Sequence, residues 1–276
     1  MVKQPGTVSQ VKTGEGLPYY IPTGREVEVF QAAYSRKAPV MLKGPTGCGK
    51  TRFVQHMAVR LGVPVVTVPC HDDLTAADLV GRHLIQGGET KWVDGPLTRA
   101  VREGAICYLD EVIEARKDTV VVIHPLTDDR RTLFIERTGE TLHAPPSFML
   151  VMSFNPGYQS PLKALKPSTR QRFVGIDLTW PEPELEEKIV CHETGIDPQS
   201  SHRLVRLARK IRPLREQGLE EIPGTRAIIH AANLIKAGVA PVEAAIAALG
   251  VPLTEEPQLI DSIRTLAGMS FPEQES

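Results

Sequence analysis

The run Gly-Pro-Thr-Gly-Cys-Gly-Lys-Thr at 44–51 constrains this chain more than any other feature. It follows the apolar stretch Ala38, Pro39, Val40, Met41, Leu42 and precedes Phe53, Val54, Met57, Ala58 and Leu61, which share one face at helical spacing. Strand, glycine-rich loop and helix N-terminus in that order form a phosphate cradle. Gly44, Gly47 and Gly49 free the backbone to turn successive amide N–H groups toward phosphate oxygens, with Pro45, Thr46 and Cys48 completing the loop. Lys50 can then reach the β- and γ-phosphates and the Thr51 hydroxyl can ligate Mg²⁺. The expected ligands are therefore a nucleoside triphosphate, with ATP as the reading, and Mg²⁺.

Four further apolar runs, Pro64–Val68, Ala105–Leu109, Phe148–Met152 and Phe173–Leu178, lack polar alternation, as strands covered on both faces do. With the strand before the loop they predict an α/β fold with a five-stranded parallel sheet, its ligands at the carboxyl ends of the strands. After Trp180 only helical periodicities occur: Leu185 with Ile189, then Leu204, Leu207, Ala208 and Ile211, and similar sets to Leu266. The expected division is a nucleotide-binding domain over 1–180 and an all-helical domain over 181–276, joined at the proline-rich segment Trp180–Pro183. Two hairpins interrupt the first domain. Arg82–Asp94 carries a Gly87-Gly88 turn, and Thr132–Ala144 sets Leu133-Phe134-Ile135 against Thr141-Leu142-His143.

Chemistry is expected at three strand ends. Ala105–Leu109 runs into Asp110, placed to help hold Mg²⁺ with Thr51, and Glu111, placed to polarise an attacking water. Phe148–Met152 leads to Asn155, whose amide can report the γ-phosphate. Arg170 and Arg172 precede the last strand, where an arginine can reach a neighbouring subunit's γ-phosphate, and that mechanism requires an oligomer. Arg226, at a helix start where its charge opposes the helix dipole, suits an external anion.

The remaining composition narrows the class. A formal charge of −1 over 276 residues leaves no basic excess for a general nucleic-acid binder. No apolar run is long enough for a membrane span, so a cytoplasmic address is expected. Cys48, Cys70, Cys107 and Cys191 lack metal spacing and read as reduced, mostly buried thiols. An Asn-Lys-x-Asp guanine-reading sequence is missing, which disfavours GTP.

The strings GPTGCGKTRF at 44–53, HDDLTAADLVGR at 71–82, WVDGPLTRAVREGAICYLDEVIEAR at 92–116, VVIHPLTDDRRTL at 121–133, FNPGYQS at 154–160, LKPSTRQRF at 165–173 and GTRAIIHA at 224–231 resemble the MoxR-type AAA+ ATPases, in the branch of CbbQ and NorQ. The resemblance covers nearly the whole chain. It implies an αβα nucleotide domain with a helical lid, assembled as a homo-hexamer around a pore that the two hairpins face. It matches Lys50 and Thr51 to Walker A, Asp110 and Glu111 to Walker B, Asn155 to sensor 1, Arg226 to sensor 2, and Arg172 or Arg170 to the arginine finger. The activity it implies is ATP hydrolysis driving remodelling of a client protein. Within the branch the resemblance is taken as CbbQ-like, which implies a Rubisco activase subunit that frees Rubisco of inhibitory sugar phosphates with a CbbO-type adaptor bearing a von Willebrand A domain. The NorQ-like reading is the alternative, and its client is nitric oxide reductase, matured with NorD. A nucleotide-dependent assembly switch with little turnover is the other class that these motifs allow.

Overall fold

The computed structural model describes residues 10–11, 16–156, 165–219 and 221–272. The chain divides into two units. One comprises residues up to Gly44 together with Lys50–Leu178, and the other Pro45–Gly49 together with Thr179 onward.

The first unit is built on β1 (Gln10–Val11), α1 (Glu26–Ser35), β2 (Val40–Lys43), α2 (Lys50–Leu61), β3 (Val65–Pro69), α3 (Ala76–Val80), β4 (Gly81–Gln86), β5 (Glu89–Asp94), α4 (Pro96–Glu103), β6 (Ile106–Asp110), α5 (Lys117–Val121), β7 (Thr132–Ile135), β8 (Glu140–His143), β9 (Met149–Phe154), α6 (Pro167–Arg170) and β10 (Val174–Asp177). The main sheet runs β1-β3-β6-β9-β2-β10. Its five long strands are parallel, as their continuous apolar runs predict. A sixth, short strand adds to them at the edge: Gln10–Val11 pairs antiparallel with β3, and two residues in a polar stretch carry no periodicity to announce it. Cys107, Leu109, Phe148, Leu150 and Met152 lie in a core packed between the sheet and its helices.

Both hairpins form. In β4–β5, Gly87 and Gly88 take positive φ of 62° and 84°, the turn that suits the twist of a two-residue hairpin. In β7–β8 the ladder runs from Thr132↔His143 to Ile135↔Glu140. Arg102 of α4 joins them, donating through Nε to Asp94 Oδ2 (2.8 Å) and through Nη1 to Glu140 Oε1 (2.9 Å). Ile85 and Phe134 stand exposed on the two hairpins.

The second unit contains α7 (Pro183–Thr194), α8 (Pro198–Ile211), α9 (Thr225–Lys236), α10 (Pro241–Leu249) and α11 (Pro257–Ser270). Four of these helices place proline in the first turn, where no amide hydrogen is needed. Leu204, Leu207, Ala208, Ile211, Ile228, Ala231 and Ile263 fill its core. One face is rotated from expectation: α7 buries Glu186, Val190 and Thr194, not Leu185 and Ile189, because Glu186 is drawn inward by polar partners. The thiols also differ. Cys107 is buried, whereas Cys48, Cys70 and Cys191 are half-buried.

Candidate nucleotide site

Register brings the candidate residues of the first unit to one edge of the sheet. β9 lies between β6 and β2, with Leu109 opposite Met152 and Lys43 opposite Phe154. The strands' carboxyl ends therefore present Asp110, Ser153 to Asn155, and Gly44 side by side. Gly44 N–H donates to Phe154 O (3.3 Å), and buried Lys50 turns back so that Nζ donates to Gly44 O (2.8 Å).

Asp110 is the centre of this edge. Its Oδ1 accepts from Tyr108 Oη and from Ser153 Oγ, each at 2.6 Å, while Oδ2 accepts from Thr51 Oγ1 at 3.2 Å. Burial first, and then the Asp110 charge, push the Tyr108 phenol far above its ordinary range, so it remains a donor. Burial, with Asp110 and Glu111 adding, raises the Cys70 thiol to about 12, and it stays uncharged. Thr51 and Asp110 thus juxtapose a hydroxyl and a carboxylate oxygen, hard donors of the kind Mg²⁺ takes, and the pair fits that ion. Glu111 follows with φ 56° and ψ 48°, a left-handed conformation unusual for a side-chain-bearing residue, and its N–H donates to Ser153 Oγ (3.1 Å). Asn155 is buried at the β9 end, 3% exposed. Residues 157–160 of the FNPGYQS string lie outside the described residues.

In the second unit the loop segment Pro45–Gly49 lies against the start of α9. Gly47 takes φ +73°, and a Cβ on Gly224 would fall 2.6 Å from Thr46 O, so both positions need glycine. A Cβ on Gly47 would in turn stand 3.7 Å from Arg226 Cβ. Trp180 Nε1 donates to Thr46 O (3.4 Å), and the Arg212 guanidinium lies 4.7 Å over the Trp180 ring.

Residues 39–173 match the family model described as AAA domain (dynein-related subfamily), and 186–269 match CbbQ/NirQ/NorQ C-terminal. The chain is 60% identical over 267 residues to Protein NorQ of Paracoccus denitrificans (strain Pd 1222), covering 95% of this chain and 99% of that one. Identity is 56% to the Denitrification regulatory protein NirQ of Stutzerimonas stutzeri, over 92% of each chain. It is 53% to Protein CbbQ of Hydrogenophilus thermoluteolus, over 92% of this chain and 95% of that one. The chain belongs to the CbbQ/NirQ/NorQ family of AAA+ ATPases.

In this AAA+ chain the two arginines proposed from sequence for the finger lie at the end of α6 and just before β10, among other charges. Arg170 is exposed at the end of α6. Arg172 Nη1 lies 3.3 Å from Asp128 Oδ2, which also takes Arg130 Nη2 at 2.6 Å. Hydrogen bonds from Arg130, and the charges of Arg130 and Arg172, bring the Asp128 carboxyl down to about 2. His124 Nε2 is 3.2 Å from Thr169 Oγ1, and burial, then Arg172 and Lys166, lower its pKa. Arg226 is exposed on the first turn of α9. Among the described residues no helix is long and apolar enough to cross a membrane.

Sequence reasoning missed Ser153, Tyr108 and Glu186. Ser153 and Tyr108 stand within motif strings at the ends of apolar strands, but neither was given a role there. Glu186 sits in Pro-Glu-Leu-Glu-Glu, which reads as the solvated acidic start of a helix. It is instead fully buried, accepting from Arg212 Nη2 (2.7 Å) and Thr225 Oγ1 (2.8 Å) through Oε1.

Proposed function

We propose that the chain is the ATP-hydrolysing subunit of a homo-hexameric, cytoplasmic remodelling motor. The observation that carries this reading is the Asp110 carboxylate, aimed at the Thr51 hydroxyl while Glu111 projects from the same strand end. In this reading Lys50 and the amides of 44–51 hold the phosphates, and Thr51 with Asp110 holds Mg²⁺. That ion, when bound, supplies positive charge to the β- and γ-phosphate oxygens. Glu111 orients and polarises the attacking water, and Asn155 hydrogen-bonds near the γ-phosphate. Arg172 or Arg170 reaches a neighbouring subunit's γ-phosphate, and Arg226 couples the helical unit to the nucleotide.

The family supports two clients. The 60% identity to NorQ and 56% to NirQ favour a denitrification role, with nitric oxide reductase as client and a NorD-type adaptor. The 53% identity to CbbQ supports Rubisco with a CbbO-type adaptor. Exposed Ile85 and Phe134 suit a grip on the client, and Arg102 would keep the two hairpins in fixed relation.

The test is phosphate release from ATP and GTP with each adaptor. Glu111→Gln should retain ATP and Mg²⁺ binding and lose about 100-fold or more in turnover. An arginine variant mixed with Glu111→Gln protein should regain activity at mixed interfaces. Turnover at the wild-type rate in Glu111→Gln would remove Glu111 from this role, and negligible ATPase with every partner would leave the assembly switch. Maturation of nitric oxide reductase, or release of inhibited Rubisco, in reconstituted mixtures decides the client.

A further inference from the structure

The two carboxylate residues at the end of β6 both contact Ser153, a residue to which the sequence motifs assigned no role. We propose that Ser153 is a positioning residue, orienting Asp110, fixing the backbone of Glu111, and tying both to the strand end that carries Asn155. The proposal rests on the ATPase reading above.

Ser153 is fully buried and has one proton to give. It goes to Asp110 Oδ1 at 2.6 Å, and a lone pair accepts Glu111 N–H at 3.1 Å. Tyr108, also fully buried, spends its own proton on the same Oδ1. The two oxygens of Asp110 are thereby given separate tasks. Oδ1 is anchored by two short bonds from neutral hydroxyls, which orient the carboxylate without neutralising it. Oδ2 is left facing Thr51 Oγ1, where a cation would be held. A carboxylate free to rotate would lose that directionality.

The second bond answers a separate problem. Glu111 is in the left-handed region, where a side chain is disfavoured, and an isolated residue there would relax and swing its carboxylate away. The Ser153 acceptor holds its amide in place. A plain space-filling role accounts for neither contact, because alanine would fill the same interior without a donor or an acceptor.

Ser153 and Asn155 are two residues apart along β9 and its exit, the spacing that puts side chains on one side of a strand. Between them, Phe154 O accepts from Gly44 N–H at the start of the phosphate loop. A shift of this strand end on γ-phosphate contact would therefore move Ser153, and with it the Glu111 amide and the Asp110 carboxylate.

The experiment uses the full chain with Ser153→Ala, Tyr108→Phe, and Ser153→Ala in a Glu111→Gln background. Mn²⁺ binding to the ATP complex is followed by electron paramagnetic resonance, metal-free ATP binding by a fluorescent analogue, and turnover by phosphate release. Ser153→Ala should lose about 10- to 100-fold in kcat and weaken Mn²⁺ binding by about tenfold, as outer partners of a metal site do, with metal-free ATP affinity held within about twofold. In the Glu111→Gln background, at metal concentrations that saturate both proteins and so offset the Asp110 contact, it should cost little further turnover, because what then remains acts through Glu111. A kcat within about twofold of wild type in Ser153→Ala, or losses that still multiply with Glu111→Gln at saturating metal, would overturn the proposal. Should Ser153→Ala fail to fold, isosteric Tyr108→Phe decides: weaker Mn²⁺ binding supports an oriented Asp110, and unchanged binding overturns it. Wild-type protein without ATPase whose Mn²⁺ binding still responds to both variants would sink the ATPase reading and leave the orientation of Asp110 standing.

Discussion

Two carboxylates, Asp110 at the end of β6 and Glu186 in α7, are held in opposite ways. Asp110 is gripped by the hydroxyls of Thr51, Tyr108 and Ser153. Glu186 is gripped by the Arg212 guanidinium and the Thr225 hydroxyl. Hydroxyls orient a carboxylate and leave its charge available to a cation that arrives later. A guanidinium cancels the charge where it stands, and what remains is architecture. Glu186 thereby pins Arg212, whose Nε donates to Pro223 O (3.0 Å) just before Gly224 meets the phosphate loop. On the proposed reading, one carboxylate serves the chemistry and the other places a backbone.

The strongest way to break this contrast is to remove the guanidinium. Arg212→Met should destabilise the helical unit by about 3–5 kcal/mol, the cost of leaving a buried charge unpaired. Glu186→Met combined with Arg212→Met should recover most of that loss, since packed apolar groups replace a buried pair at little cost. Chemical denaturation followed by Trp180 fluorescence reads both. A single variant as stable as wild type would mean that Glu186 is not held by this pair. Its Oε2, buried with no hydrogen-bond partner among the described residues, adds to the cost of any further loss.

The converse experiment is Asp110→Asn, which keeps the shape and removes the charge. Turnover should fall by about 100-fold or more, equivalent to about 2.7 kcal/mol of barrier, while the thermal midpoint holds or rises. A variant that unfolds would place Asp110 with Glu186 among the architectural carboxylates.

The two carboxylates also differ in how far they can be read before folding. Asp110 follows an apolar strand, downstream of a loop whose glycines and lysine have no other good explanation, so a linear pattern exposes it. The five parallel strands were legible for the same reason, each being an uninterrupted apolar run. Ser153 and Tyr108 were not, because a hydroxyl inside such a run looks like any tolerated polar atom until register sets it against Asp110. Glu186 was misread with the face of α7, since its partners lie 26 and 39 residues away and no local spacing signals them. Pattern finds groups whose chemistry is borne by the backbone nearby. It misses groups whose role is given by a residue on another element.

A smaller test divides the Glu186 pair further. Thr225→Val keeps the branched shape and removes one donor to Oε1, so with Arg212 in place it should cost about 1.5 kcal/mol, at the lower end for a bond to a charged group. Denaturation reads the stability, and ATP affinity reads whether Gly224 still meets the loop. A loss as large as that of Arg212→Met would make the hydroxyl, and not the guanidinium, the main partner.

The smallest effect is expected at a third carboxylate, Glu26, which extends the contrast to a group held by neutral donors on both oxygens. Tyr20 Oη (2.8 Å) and Thr23 N–H (2.7 Å) donate to Oε1, and Gly24 N–H (2.8 Å) donates to Oε2. Burial pushes its carboxyl up, but the bonds from Thr23, its own amide, Tyr20 and Gly24 outweigh it and leave the pKa lowered. Its folded pKa lies below the unfolded one, so the unfolded chain binds more protons in between and stability rises with pH across that window. The contribution is complete above the unfolded value of 4.5 and is lost as pH falls through the lowered folded value. Glu26→Gln keeps one acceptor and faces Gly24 N–H with an amide donor, so near neutral pH it should cost about 1 kcal/mol or less. The gap between wild type and variant, measured by denaturation from pH 7 downward, should narrow below 4.5. A gap that stays constant with pH would show that the Glu26 charge contributes nothing, and that neutral donors here serve shape alone.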